Sequence, residues 1–236
     1  MSFFKATTKD VLQVTIADTH TGSNYALFLN REWHGKNMSH TPRAKQIEIR
    51  KHFEIFAEEV RVARQGLKVK LVINGDSIDG DHHHSGDVCT LNEMEQADIH
   101  IELMGELQKR IEWQAGDELY YTKGTQTHVH DYENYIGREL NAIPDGDYFV
   151  WDILKLNTNG VVSWFVHHGP VRGKSVNEGN PMRNLLKAIY IEAVKDGTSI
   201  PDIVYTGHVH DPTFAAYEWR EKMVFHMMYG IILTSW

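Results

Sequence analysis

Apolar residues along this chain fall into short β-rich runs separated by amphipathic stretches with helical spacing. The first run covers 11–17. It is followed, after a polar interval, by Ile47, Phe53, Phe56, Val60 and Ala63, an apolar stripe with helical period. Thr41 before Pro42 predicts the start of that helix, an N-cap with proline in the first position, and Gly66 predicts its stop. Residues 69–73 are mostly apolar or β-branched, which predicts a strand buried on both faces, as parallel strands usually are. Strand, helix and strand read as a βαβ unit that returns the second strand beside the first.

The same rhythm continues. Thr90 with Glu93 predicts a capping box, and Met94, Ala97, Ile101, Met104, Leu107 and Ile111 form a core stripe that ends at Gly116. A third strand is expected over 118–123 and a short helix over 132–140. Strands over 148–156 and 161–167 flank Asn157-Thr158-Asn159-Gly160, whose Asn-Gly pair is a hairpin signal. Asn180 and Pro181 start another helix that runs to Lys195, with Gly197 beyond it. A strand over 203–206 follows, and the alternation in 213–236 predicts two or more terminal strands. Residues 23–40 lack a clear period and read as a loop or insertion. The expected class is α/β, in a single domain over 1–236.

Composition narrows the setting. Hydrophobic residues make up 42% and charged residues 24%, as in globular proteins, and no apolar stretch approaches the ~20 residues that span a bilayer, so no membrane partner is expected. The first ten residues lack the long apolar region of a signal peptide, and Cys89, the one cysteine, excludes an intramolecular disulfide; together they predict a cytoplasmic protein. A net charge of -8 argues against a broad basic surface for nucleic acid. It leaves room for a phosphate substrate, because cations held by carboxylates make the local field positive.

The chain has 15 histidines, and their placement is the main chemical signal. Five β-rich runs end in Asp or His near glycine: at Asp18-Thr19-His20, Gly75-Asp76, Gly124 to His128, His167-His168-Gly169 and Gly207-His208-Val209-His210. Any one of these is an ordinary polar turn. Five of them at strand C-termini, where open α/β sheets bind ligands, point to one shared site. Asp18 and His20, at i and i+2 on an extended segment, point to the same side. Nitrogen and oxygen donors without thiolate suit Mn²⁺, Fe, Zn²⁺ or Ni²⁺.

This order of motifs, over Asp18 to His210, resembles the calcineurin-like metallophosphoesterase family, with a likeness to phage- or prophage-type members. The resemblance implies two mixed β-sheets packed face to face with flanking helices, a four-layer αββα fold whose loops hold two divalent metal ions, Mn²⁺ foremost. It assigns Asp18, His20, Asp76 and His210 to one metal and Asp76, His168 and His208 to the other, with Asp76 bridging. It implies hydrolysis of a phosphate ester by a hydroxide shared between the metals, with a phosphodiester (nucleic acid or nucleotide) or a phosphomonoester as substrate. His128 resembles the catalytic histidine at the leaving oxygen, and Asp79 the carboxylate that orients it.

The chain also departs from the family pattern. Gly124-Thr125-Gln126-Thr127-His128-Val129 replaces the usual Gly-Asn-His, so either Thr127 or Gln126 supplies the missing oxygen or the second site lacks a ligand. Gly80 stands where the protein-phosphatase branch has arginine, which argues against phosphoprotein substrates. His82, His83 and His84 read as a solvated loop or as further ligands, and Arg172 and Lys174 as phosphate contacts or solvated charges. Gly173-Lys174-Ser175 lacks the upstream glycine of a nucleotide-binding loop. The alternatives are a non-catalytic scaffold of the same fold, binding through sheet edges or 23–40, and a mononuclear metal protein.

Overall fold

The computed structural model describes residues 10–36, 39–80, 87–126, 131–171 and 173–236, which form an α/β structure with four helices and three sheets. Along the chain, β1 (Val11–Ala17) leads to a two-stranded ribbon of β2 (Trp33–His34) and β3 (Ser39–His40), then to α1 (Ala44–Arg64) and β4 (Lys68–Asn74). Next come α2 (Glu93–Arg110), β5 (Glu118–Thr122), α3 (Tyr132–Glu139), β6 (Leu154–Thr158) and β7 (Val161–His168). The chain finishes with α4 (Asn180–Asp196), β8 (Ile203–Gly207), β9 (Thr213–Glu221) and β10 (Val224–Ile232).

The expected βαβ unit is present: β1 and β5 flank β4 in a three-stranded parallel sheet. A five-stranded mixed sheet has the order β6-β7-β8-β10-β9, with β7, β8 and β10 parallel. Alternation along β4 explains its long apolar run. Val69, Leu71 and Ile73 enter a cluster with Phe53 of α1 and Leu103 of α2, while Val72 joins Tyr120, Leu156 and Phe165 in a cluster that links the two larger sheets. A third cluster sets Met182 and Leu186 of α4 against Val204, Ala215 and Met228.

Polar contacts fix how the sheets meet. Asn159, in the β6–β7 turn, exchanges hydrogen bonds of 2.9 Å with both backbone groups of Val11 at the start of β1. The Thr158 hydroxyl donates to the Gln13 carboxamide at 3.1 Å. The turn itself is the predicted hairpin, narrowed to Asn159 and Gly160 at φ +55° and +86°, the signs a type I′ turn requires.

Side chains that the apolar stripe did not predict shift several boundaries. α1 starts at Ala44 and not at Pro42, because the buried Gln46 carboxamide accepts from the Arg43 N–H and donates to Ser23 O, both at 2.9 Å, tying the helix start to the preceding loop. Its inner face takes Gln46, Arg50 and Arg64, while Ile47 and Ala63 are exposed. α2 starts at Glu93 with Asn92 as N-cap, accepting from Met94 N at 3.1 Å. Thr90 donates to Glu95 at 2.7 Å, so the Thr90–Glu93 box is not made, and Met94 faces out while Ile99, His100 and Leu103 turn in. The strand expected over 148–156 pairs regularly only from Leu154; Trp151 forms an isolated bridge to Thr122. Residues 23–40 carry the small β2–β3 ribbon. Among the described residues no helix is long and apolar enough to cross a membrane.

Arg64 shows why a polar residue sits on the buried face of α1. Its guanidinium donates to Ile111 O at 2.9 Å, to Glu112 O at 2.5 Å and to both oxygens of Asp117 at 3.0 and 2.8 Å, fastening the end of α1 to the segment after α2. Arg64→Ala leaves the buried Asp117 carboxylate and the buried Ile111 carbonyl without this donor, and should lower the unfolding free energy measured in urea by about 3–5 kcal/mol. A loss under about 1 kcal/mol would mean that water replaces the contacts at no cost.

Candidate metal centre

Parallel strands bring their C-terminal ends to one rim, and the register sets which residues meet there. Ala17 pairs with Asn74 and His168 with Gly207, so Asp18 leaves β1 beside the Gly75-Asp76 turn, and His167 and His168 leave β7 beside His208. At this rim Asp18, His20, Asp76, His208 and His210 all have left-handed backbone, with φ of +51°, +40°, +45°, +72° and +59°. Such conformations are disfavoured for residues other than glycine, asparagine and aspartate, and they persist where surrounding contacts hold them.

The centre of the cluster is the buried pair Asp18 and Asp76. An oxygen from each and the Nε2 of His167 lie within 4.8 Å of one another. His167 Nε2 donates to Asp18 Oδ1 at 2.9 Å and lies 3.5 Å from Asp76 Oδ2. Asp18 also accepts from the His208 N–H at 2.9 and 3.1 Å and has His210 Nε2 at 3.6 Å. Around Asp76 stand His20 Nε2 at 3.9 Å and His208 Nδ1 at 4.0 Å. His20 and His210 aim their Nε2 atoms at each other, 2.9 Å apart.

Three overlapping sets of donors result: Asp18, His20 and His210; Asp18, Asp76 and His167; and His167, His168 and His208. The structure therefore brings together all six residues expected to hold metal. Asp79 contacts His20, with its Oδ1 3.2 Å from Nδ1, a contact that orients the imidazole ring. His128 and Thr127, with the triplet His82, His83 and His84 and with Arg172, lie outside the described residues. Gln126 is exposed, and the hydroxyl of its neighbour Thr125 is 3.2 Å from Asp76 Oδ2 and 3.1 Å from His208 Nδ1.

Charge explains the arrangement. Burial alone would raise the Asp18 carboxyl, but hydrogen bonds from His167 and His210, the nearby His167 charge and the His208 N–H together hold it well below the ordinary carboxylate range. Burial would lower His167, yet its bond to Asp18 and the charge of Asp76 push it above its ordinary value. The Asp18 bond likewise raises His210, while burial and the neighbouring His167 and His168 lower His208.

Two buried groups that sequence reasoning missed support the loops. His100, on α2, places Nδ1 3.3 Å from the Thr19 hydroxyl and 3.1 Å from that of Thr21, with Nε2 3.0 Å from the Tyr121 hydroxyl. Full burial lowers its pKa to about 3, so it stays neutral and can accept on one nitrogen while donating on the other. Glu133, on α3, accepts from Ser77 N at 3.2 Å, Ser77 Oγ at 3.1 Å and Gly124 N at 2.6 Å, joining the loops after β4 and β5. Gly124 passes so close that a Cβ there would lie 2.3 Å from Asp76 N. Two-residue alternation from the buried Phe165 puts His167 on the inward face of β7.

A cleft of about 330 Å³ opens onto this cluster, lined by His20, Asp76, Asp79, His208 and His210 with Tyr25 and Trp236 at its side. A larger cleft of about 490 Å³ lies away from it, between the β2–β3 ribbon and α2. No family model and no curated protein matches this chain. Among solved structures, a protein of unknown function from Aquifex aeolicus is similar over 90% of this chain and 82% of its own length, at 15% identity and a TM-score of 0.35.

Glu133 supplies a pH prediction. Burial, opposed by the Gly124 N–H and reinforced by the charge of Asp76, raises it from 4.5 to about 7. The folded state then holds this proton more tightly than the unfolded chain, so the stabilisation is complete below about 4.5 and is lost as pH rises through about 7. In metal-free protein, the stability of wild type relative to Glu133→Gln should fall by on the order of 2–3 kcal/mol between pH 4.5 and 7.5 in chemical denaturation. A difference that does not vary with pH would show that Glu133 keeps one charge state across this range.

Proposed function

We propose that the protein is a metal-dependent phosphoesterase of the calcineurin-like metallophosphoesterase type, with its two larger sheets face to face between outer helices in the four-layer arrangement. The observation that carries this reading is the buried pair Asp18 and Asp76 at the ends of adjacent parallel strands, with nitrogens of His20, His167, His208 and His210 within 4.0 Å of one or both. Two buried carboxylates surrounded by imidazole form a nitrogen and oxygen donor set suited to hard or borderline divalent cations, Mn²⁺ first and Fe, Zn²⁺ or Ni²⁺ after it. Cys89 is buried and its thiol is pushed up to about 12, mainly by that burial, so it is not a thiolate donor.

In this reading Asp18, His20 and His210 hold one cation and His168 and His208 the other, with Asp76 shared and Thr125 taking the place of the family asparagine. Bound cations would supply an acidified water and charge neutralisation at a phosphoryl group. The chain's own residues position and support. Asp79 fixes the His20 ring, the His208 N–H holds Asp18, and Glu133 sets the spacing between the Asp76 and Gly124 turns. The ester group of a phosphodiester such as a nucleotide or a nucleic-acid end would sit in the cleft beside Tyr25 and Trp236. The leaving-group proton is assigned to His128 on sequence resemblance.

A second reading, one cation at Asp18, His20 and His210, is favoured by Thr125, since a hydroxyl is a weaker donor than the carboxamide it replaces. Metal analysis of protein loaded with Mn²⁺ separates the two: two equivalents per chain support the binuclear centre, one the mononuclear, and none a scaffold. Asp76→Asn should reduce hydrolysis of an aryl phosphodiester by more than about 100-fold while leaving thermal unfolding cooperative. Retained turnover would remove Asp76 from the reaction. Asp79→Asn should weaken Mn²⁺ binding by about 10–100-fold in calorimetric titration, and unchanged affinity would reduce Asp79 to a surface contact.

A further inference from the structure

The two larger sheets differ in width, three strands against five. The face of the wider sheet that carries Phe165 and Tyr205 toward the narrower one continues past β8, because Ile231 pairs with Tyr205. On β10 and β9 this face goes on through Tyr229, Met227 and Phe225 and, across the ladder, Phe214, Glu218 and Arg220. No described strand lies over it. The opposite face of the same hairpin is covered: Ala215 and Met228 are buried against Met182 and Leu186 of α4.

The uncovered face is strongly apolar. Phe214, Phe225, Met227 and Tyr229 are 61%, 75%, 41% and 37% exposed, with the Phe214 and Tyr229 rings stacked at 5.6 Å. With Met223 in the hairpin turn, these side chains present on the order of 600 Å², the upper end of what monomers leave to solvent. With a polar rim this approaches the ~800 Å² per partner of a stable interface.

We propose that this face is the contact of a twofold homodimer. The two charges it carries, Glu218 and Arg220, are of opposite sign and two residues apart on β9, so they share this face. A twofold contact can therefore set Glu218 of each copy against Arg220 of the other, which makes the patch complementary to itself. Arg220 already lies over the Phe225 ring at 5.2 Å, joining the charged and apolar parts. The edge of β9 is a poorer route for association, because Arg183 Nε donates to Ala216 O at 3.1 Å and occupies part of the strand edge. The contact is thus face to face and not a strand addition.

Sedimentation velocity of the full chain over a micromolar concentration series is the test. Wild type should sediment at twice the chain mass. Phe225→Glu, at an exposed position, should sediment as a monomer with unchanged circular dichroism and unchanged Mn²⁺ uptake. Glu218→Arg and Arg220→Glu should each weaken the dimer by at least about tenfold, and the double exchange should recover most of that loss, as reciprocal pairing demands. A wild-type protein monomeric up to about 100 µM, a dimer unmoved by Phe225→Glu, or a double exchange no better than the single ones would each overturn the proposal.

Discussion

Two carboxylates buried side by side repel one another, and the rim of the sheets is arranged to answer that repulsion. Asp18 and Asp76 are almost wholly removed from water, with oxygens within 4.8 Å. Like charges at that separation in a weakly screened interior are too unfavourable to stand alone. What compensates is immediate: the His167 ring between them, the His208 N–H on Asp18 and the Thr125 N–H on Asp76 at 2.6 Å. These donors reach the oxygens because the chain turns sharply at each strand end. The left-handed residues and the close passage of Gly124 are the backbone cost of bringing them there.

Support for those turns comes from a second ring of buried polar groups. His100 holds Thr19 and Thr21 on either side of His20, and Glu133 holds Ser77 and Gly124 on either side of Asp76. Each reaches in from a helix that packs on the three-stranded sheet, so displacement of α2 or α3 would be felt at the cluster. The apolar clusters thus stabilise the fold and also set the distances at which the charged groups meet.

Much of this was legible in the sequence, because strands and their ends are written in local alternation. The run 11–17, the Asn-Gly hairpin and the stops at Asp18, Asp76, His168 and His208 appear where periodicity places them. Buried polar residues were not legible. Gln46, Arg50 and Arg64 occupy the inner face of α1 through partners distant in sequence, and a hydrophobic stripe cannot register a guanidinium satisfied 53 residues away by Asp117. Glu133 and His100 were invisible for the same reason: nothing near them in the chain marks them as buried. His167 was overshadowed by the His-Gly pair that follows it, although alternation along β7 alone puts it inward. At the altered Gly-Asn-His motif the local pattern left Thr127 and Gln126 open, and the contact of the Thr125 hydroxyl with Asp76 depends on a residue 49 positions away that no local pattern registers.

The distance along the chain between the members of the cluster has a consequence for how the protein matures. His20 faces His210, and Asp18 holds the backbone of His208, across 190 residues in each case. During synthesis the first aspartate therefore waits for its full set of partners until nearly the whole polypeptide has emerged. Assembly of the cluster belongs to the last stage of folding and cannot template the first sheet, which must assemble on its apolar contacts alone. Any fragment ending before β8 lacks His208 and His210, and so cannot close the cluster around Asp18.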